Sequence, residues 1–116
     1  MAELIPVFSQ QQGPLPVKTQ VKIESDAPAI VTLSGSCWSP QAARTIGITL
    51  SIDGSPAATA WIFANQQSMH LPVVPVTVPY TFPWTEDQEH VFELSNAANS
   101  VTTSDSNDIF WVTVQF

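Results

Sequence analysis

Two stretches of this chain place several carboxylates close together, at residues 86–89 and at Asp105 with Asp108. A glycosidase needs two opposed carboxylates across a substrate cleft, whereas Asp and Asn next to Ser are typical of turns, in which they cap their own backbone. The pattern therefore predicts a solvated turn at 86–89 and a capped turn at 105–108. Asp105, Asn107 and Asp108 also carry the hard oxygen atoms that calcium prefers, so they are the candidate calcium ligands. No other cofactor is expected.

Nucleophilic catalysis requires a Ser or Cys beside a His. The chain has two histidines, His70 and His90, and one cysteine, Cys37, but no Gly-x-Ser-x-Gly motif. Cys37 matches no nucleophile motif, and we predict a buried structural thiol that forms no disulfide within the chain. His70 is predicted to end a strand and to form a hydrogen bond at an interface. His90 alternates with Phe92, which predicts a position that is partly buried or stacked between subunits. We therefore expect no enzymatic activity.

Aromatic and planar polar residues in the predicted loops suit a carbohydrate ligand. An exposed aromatic ring packs against the apolar side of a sugar, while amides, carboxylates and hydroxyls bond to the sugar hydroxyls. Two alternative centres fit this description: Trp38 with nearby Ser and Gln residues, and Trp84 with Tyr80 and Glu86. Arg44 is the candidate partner for an acidic ligand or for an acid on a neighbouring subunit. Trp84 is expected to be the accessible tryptophan, with closure of one end of the fold as its alternative role.

The 116 residues carry little charge for a globular domain. Charged residues make up 11% of the chain and hydrophobic residues 44%, and ten acids against three basic residues give a net charge of -7; about 25% charged is usual. Lys18, Lys22 and Arg44 are the only permanent cations, which excludes nucleic-acid binding and argues against an anionic membrane surface. No apolar run approaches the ~20 residues of a membrane span, and no signal peptide is recognisable. We expect cytoplasmic synthesis, with release or surface display as alternatives.

Alternation of apolar and polar residues predicts a chain made of strands. Residues 45–52 show the clearest alternation, and Asp53-Gly54 after them predicts a hairpin. A helix is the alternative for the alanine-rich segment that follows. The three prolines of 71–80 predict an edge strand or a bulged one. The strands identified in this way cover residues 17–24, 29–33, 45–52, 57–64, 71–80, 89–94 and 109–116.

About eight short strands separated by turns predict an all-β fold, an antiparallel β-sandwich of jelly-roll type without significant helix. One domain is expected over residues 1–116, with residues 1–15 as an extended N-terminal arm. The last strand is apolar on nearly both faces, which predicts either a central position or a strand that faces the core on one side and a partner on the other. Trp61 and Trp111 lie within strands and are expected in the core.

The order of short motifs from residue 28 to the end has a parallel in a known superfamily. These motifs are Ser34-Gly35-Ser36-Cys37-Trp38, Ile52-Asp53-Gly54, His70-Leu71-Pro72, His90-Val91-Phe92-Glu93-Leu94 and Asp105-Ser106-Asn107-Asp108-Ile109-Phe110. This layout resembles small bacterial or phage domains of the tumour-necrosis-factor and complement-globular-head superfamily. The resemblance implies a jelly roll that commonly forms a homotrimer, with the chain ending near the threefold axis. Its members include receptor ligands, fibre heads and sugar-binding domains, so it implies no single function.

Low charge, four tryptophans and an apolar last strand also favour self-association, because one small core cannot cover so much apolar surface. The candidate interface residues are Trp111, Phe116, His70 and His90. Our first hypothesis is a non-enzymatic, self-associating jelly-roll module, a homotrimer with neutral glycans as its ligand class. The alternative is a purely structural protein of a fibre, capsid or surface layer that binds no small ligand.

Overall fold

The computed structural model describes residues 3–116, and these residues form nine β-strands and no helix. Accordingly, no helix long and apolar enough to cross a membrane occurs among the described residues. The strands are β1 (Leu4–Gln12), β2 (Val17–Lys22), β3 (Pro28–Cys37), β4 (Arg44–Ile52), β5 (Ser55–Ala64), β6 (Leu71–Pro72), β7 (Val76–Thr81), β8 (Glu89–Asn96) and β9 (Ile109–Gln115).

The strands form two antiparallel sheets that pack face to face. Sheet 1 has the order β1-β9-β3, with β6 and β7 both pairing with β3, and sheet 2 has the order β2-β8-β4-β5. Because β6 and β7 pair with successive parts of β3, they act as one interrupted edge strand. Counted as one, they give two four-stranded sheets connected as a jelly roll. The predicted antiparallel sandwich of jelly-roll type is confirmed.

The β4–β5 hairpin shows how alternation in the sequence becomes burial in the structure. The four apolar residues on one side of β4 are at most 1% exposed, namely Ile46, Ile48, Leu50 and Ile52. Asp53 and Gly54 form the two-residue turn, and both have positive φ, at 51° and 85°, which suits the twist of a tight hairpin. Residues 55–64 form a strand, so the helical alternative for this segment is wrong.

The N-terminal segment belongs to sheet 1 and is no extended arm. Strand β1 pairs along β9 from Leu4 to Gln12, and Phe8 is 4% exposed in the core. The prediction of an arm over residues 1–15 is wrong because the segment buries an aromatic side chain and pairs its backbone with one edge of β9. Residues 1 and 2 of the predicted arm lie outside the described residues.

Strand β9 lies between β1 and β3, which confirms its predicted central position. Its inward residues Phe110, Val112 and Val114 are fully buried. Its outward residue Trp111 is 39% exposed, and Trp61 on β5 is 42% exposed. The expectation that both tryptophans lie in the core is wrong, because each points away from the opposing sheet and no further layer formed by residues 3–116 covers it.

Candidate functional site

A cleft of about 490 Å³ opens on the outer face of sheet 1. It is lined by three successive β3 residues, by the segment that interrupts β6 and β7, by β9 and by the turn before β9. These residues are Ser34, Gly35, Ser36, Pro72, Val73, Val74, Pro75, Asn107, Ile109 and Trp111. Trp111 stands directly opposite Ser34 in the β3–β9 pairing. We call this feature the Trp111 cleft.

The interruption between β6 and β7 forms one side of the Trp111 cleft. Proline cannot donate to a ladder, and regular pairing with β3 stops after Pro72 and resumes at Val76. Between them, Val73 N donates to Gly35 O at 2.9 Å, while Val74 N turns to Trp61 O on sheet 2 at 3.0 Å. The predicted bulged edge strand is therefore confirmed, and its bulge connects the edges of the two sheets.

Gly35 allows the core to pack directly beneath the cleft. A Cβ at this position would lie 2.6 Å from Phe110 Cδ1 and 3.1 Å from Ile109 O. Any side chain would therefore displace the buried Phe110 ring or the β9 backbone. Glycine at 35 keeps the β3 backbone close to β9, where the cleft residues of both strands meet.

A buried carboxylate, Asp108, ties the polar side of the cleft together. Its side chain is fully buried, and Oδ1 accepts the Ser36 hydroxyl at 2.8 Å while Oδ2 accepts the Asp105 backbone N–H at 2.8 Å. His70 Nδ1 lies 2.7 Å from Oδ1, and this nitrogen carries the hydrogen because an ionised carboxylate only accepts. The bond to Asp108 raises the pKa of His70 above its ordinary value, although partial burial opposes the rise.

Trp38 and Cys37 pack beside this cluster. The Trp38 ring centroid is 6.0 Å from that of His70, and its backbone exchanges hydrogen bonds of 2.9 Å with Thr103 in both directions. The Trp38 indole N–H is buried without a hydrogen-bond partner among the described residues. Cys37 is fully buried, and burial, with a smaller contribution from the charge of Asp108, raises the pKa of its thiol to about 12. The predicted structural thiol is confirmed.

The candidate calcium ligands come together in a different way from the prediction. Asp105 and Asp108 group with His70, with potential ligand atoms within 4.8 Å of one another. The Asn107 backbone N–H instead donates to Asp105 Oδ1 at 2.8 Å, which confirms the predicted capped turn, and Asn107 is one of the residues that line the cleft. Calcium takes roughly six to eight oxygen ligands, whereas this group contains an imidazole and a buried carboxylate whose two oxygens already accept hydrogen bonds from the protein. No spacing in the sequence pointed to His70 as a member.

The five predicted ligand-binding residues lie at opposite ends of the sandwich. Strand directions place Trp84, Tyr80 and Glu86 at one end, with the β4–β5 turn, and Trp38 and Arg44 at the other. Trp84 is 69% exposed, as expected of the accessible tryptophan. Arg44 is exposed, and its Nε donates to the side chain of Gln41 at 2.9 Å. The structure therefore separates the two alternative centres by the full length of the strands.

The predicted solvated turn at 86–89 lies at the end with Trp84. The carboxylate of Asp87 accepts the Glu89 backbone N–H at 3.1 Å and the Thr85 hydroxyl at 3.2 Å. These bonds, the backbone one above all, lower the pKa of Asp87. Asp87 and Glu86 are exposed, so this stretch is a capped surface turn, as predicted.

His90 lies inside the fold near the β4–β5 turn. It is 1% exposed, its Nδ1 is 2.6 Å from Asp53 Oδ2, and its ring packs at 5.1 Å against Phe82. The prediction that His90 lies at a subunit interface is wrong, because the chain itself covers the ring. Tyr80 packs on the other side of Phe82 at 4.7 Å, and burial raises the pKa of its hydroxyl.

The fold and the cleft define a jelly-roll β-sandwich with an aromatic-lined cleft on one outer face. No protein-family model matches the chain, and no curated protein matches it. One similar solved structure is the CBM36-1 domain of a multidomain xylanase from the hindgut metagenome of Trinervitermes trinervoides, with a TM-score of 0.52 and 12% identity over 98% of this chain and 96% of that chain. A second is the C-terminal domain of EclA, a sugar-binding protein, with a TM-score of 0.47 and 12% identity over 98% of this chain and 76% of that chain.

Proposed function

We propose that this domain binds a neutral carbohydrate in the Trp111 cleft. The observation that carries the proposal is the half-exposed Trp111 in a cleft that is also lined by two hydroxyl residues, Ser34 and Ser36, and by the amide residue Asn107. An aromatic face suits the apolar side of a sugar ring, and the hydroxyls and the amide suit its hydroxyl groups. A volume of about 490 Å³ lies within the range of roughly 300–1,000 Å³ that is usual for small-molecule sites.

The charge around the cleft supports a neutral ligand. None of Lys18, Lys22 and Arg44 lines it, so no permanent cation of the chain is available there for a carboxylate, sulfate or phosphate. Asp105 accepts a hydrogen bond from the backbone of Asn107, a residue that lines the cleft, and its 42% exposed side chain repels anions. The single imidazole nearby, His70, is already bonded to Asp108.

Binding without catalysis is part of the proposal, and the bonding of Ser36 supports it. An activated serine donates its hydroxyl hydrogen to a neutral base, which is in turn oriented by an acid. Here Ser36 and His70 both donate to the same oxygen of Asp108, so His70 is not positioned to take the serine proton. The CBM36-1 domain belongs to a xylanase, and its likeness concerns the fold alone.

The test is a glycan array followed by titration calorimetry of any glycan that binds. Trp111→Ala should weaken binding at least tenfold, about 1.4 kcal/mol. The matched control is Trp84→Ala, which removes a more exposed indole at the far end of the sandwich and should leave the affinity unchanged. Unchanged affinity of Trp111→Ala contradicts the proposal. Loss of binding in Trp84→Ala would instead support the centre of Trp84, Tyr80 and Glu86.

We also propose that the domain self-associates as a homotrimer, as its resemblance to the tumour-necrosis-factor superfamily implies. An apolar patch on sheet 1 supports this: Leu4 and Ile30 flank Gln115 from both sides and are 61% and 41% exposed. The patch lies at the end of β9 next to Phe116 and away from the Trp111 cleft, so association there leaves the cleft open.

Light scattering at micromolar concentration tests the association. A trimer that dissociates in Ile30→Asp supports the proposal, whereas a wild-type monomer overturns it. Stable trimers that bind no glycan on the array would favour the alternative hypothesis of a purely structural assembly protein.

A further inference from the structure

The outer face of sheet 2 carries a second aromatic surface, which the Trp111 cleft does not use. Trp61 and Phe63 are alternate residues of β5, so their side chains point to the same face, and they are 42% and 52% exposed. Their partners across the β4–β5 pairing are Gly47 and Thr45. We call these four residues the β5 strip.

The Trp61 ring lies against the sheet because its partner is a glycine. A Cβ at position 47 would lie 2.7 Å from Trp61 Cε3 and 3.0 Å from Cδ2. The six-membered part of the indole therefore occupies the space that a side chain at position 47 would fill. The ring is held close to the sheet while 42% of Trp61 stays exposed, which suits a stacking platform.

Neutral hydroxyls continue the strip along the two strands. Thr49 and Thr59 are the next facing pair, and their hydroxyl oxygens are 2.9 Å apart. None of the residues from Thr45 to Thr49 on β4 and from Thr59 to Phe63 on β5 is charged, although the chain carries a net charge of -7. Aromatic faces bordered by hydroxyls and free of charge match the surface of a neutral sugar chain, with apolar ring faces and hydroxyl edges.

The spacing of the two rings favours a polymer over a single sugar. Alternate residues of a strand lie roughly 6.6–6.8 Å apart, so Trp61 and Phe63 contact successive positions along a ligand that runs parallel to β5. The strip is open along this direction, unlike the Trp111 cleft, which is bounded by the bulge at 72–75.

We propose that the β5 strip binds a neutral polysaccharide chain and that, with the Trp111 cleft, it makes each monomer bivalent for glycans. The two surfaces lie on the outer faces of sheets stacked about 10 Å apart, and they face away from each other. One short oligosaccharide therefore cannot reach both, whereas one monomer can connect two polysaccharide chains. The bivalency rests on the proposed function of the Trp111 cleft, but binding at the strip does not.

The first experiment measures retention of the full chain on insoluble xylan, cellulose and chitin. The double variant Trp61→Ala with Phe63→Ala should lose at least tenfold in retention on the polysaccharide that the wild type binds. Trp84→Ala is the control for loss of an exposed indole. Phe63→Tyr should keep the wild-type retention, because it keeps the planar ring that stacking needs. Phe63→Leu should lose most of the retention, because leucine offers only hydrophobic contact. These two single variants also keep the test valid if the double variant unfolds.

The second experiment measures turbidity when the Ile30→Asp variant, isolated as a monomer by size exclusion, is added to the soluble form of that polysaccharide. This monomer should cross-link the chains, and adding either Trp111→Ala or the β5 substitutions to it should abolish cross-linking. The proposal for the β5 strip is wrong if the double variant is retained as well as the wild type. It is also wrong if analytical sedimentation shows that the strip joins two copies of this chain. If Trp111→Ala is still retained on the polysaccharide and calorimetry finds no glycan affinity at the Trp111 cleft, the proposed function is refuted. Binding at the β5 strip is then still supported.

Discussion

Replacing Asp108 by Asn should destabilise the fold at the edge of the Trp111 cleft. Asp108 accepts hydrogen bonds from Ser36, His70 and the backbone of Asp105 while fully buried. Asparagine has nearly the same shape, but it has no charge, and one of its two terminal atoms is a donor. An amide nitrogen at the Oδ2 position faces the Asp105 backbone N–H, and one at the Oδ1 position makes Ser36 and His70 give up the hydrogen bonds that they donate.

The expected loss follows from the bonds that change. A hydrogen bond to a charged group contributes about 1.5–3 kcal/mol, and a buried donor without a partner costs about 1–3 kcal/mol. These two ranges describe the same change and are not added. We therefore expect the free energy of unfolding to fall by about 3 kcal/mol. With an unfolding entropy of about 2.1 cal/mol/K per residue and 116 residues, Tm should fall by about 12 °C.

The same cluster should make stability depend on pH. The pKa of His70 is raised in the folded state by its bond to Asp108, so the stabilisation is complete below its ordinary pKa near 6.5 and is lost as pH rises through the raised value. Urea unfolding followed by tryptophan fluorescence at pH 6 and pH 9 measures this. The difference in free energy of unfolding between wild type and His70→Gln should therefore be smaller at pH 9 than at pH 6.

Two results would refute the reasoning about Asp108. One is an Asp108→Asn protein whose unfolding free energy lies within about 0.5 kcal/mol of wild type, the range of ordinary surface substitutions. The other is a difference in unfolding free energy between wild type and His70→Gln that stays constant between pH 6 and pH 9. Circular dichroism of each variant before unfolding confirms that the comparison concerns folded proteins.

Three further predictions concern the same end of the sandwich. Gly35→Ala should lower the free energy of unfolding by about 1–3 kcal/mol, because the new Cβ would lie 2.6 Å from Phe110 Cδ1; a wild-type Tm would contradict this. Cys37 should resist a thiol reagent at pH 8 in the folded protein and react fully in denaturant, because it is buried with a pKa of about 12; rapid labelling without denaturant would contradict its burial. Calcium or a chelator should shift Tm by less than about 1 °C, because both oxygens of Asp108 already accept hydrogen bonds from the protein. A rise of several degrees with calcium would instead support Asp105, Asn107 and Asp108 as calcium ligands.

The strands were largely predictable because alternation is a local property of the sequence. In β4, every second residue from Ile46 to Ile52 is apolar and buried, and the Asp-Gly turn after it has the positive φ angles that its residue types favour. The prolines of 71–80 correctly predicted an irregular edge strand. Strand β1 was less predictable, because its bulged pairing with β9 breaks the alternation.

The exposure of the tryptophans was harder to predict, because a strand pattern does not say which face a second layer covers. Trp84 follows Phe-Pro in a loop, and its exposure was predicted. Trp61 and Trp111 alternate with buried neighbours just as core residues do, yet both point outward. Gly47 beneath Trp61 is visible only once the β4–β5 register is known.

The sequence by itself determined the class of fold, the hairpin at Asp53-Gly54, the buried thiol and the low content of charge. Each of these follows from local pattern or from composition. The Trp111 cleft follows only from the tertiary structure. Because β3 pairs with both β6 and β9, it brings residues 34–36, 72–75 and 107–111 together. The tertiary structure also decided that His70 bonds to Asp108, 38 positions along the chain. Such contacts arise from the pairing of distant strands, and no local pattern of residues encodes them.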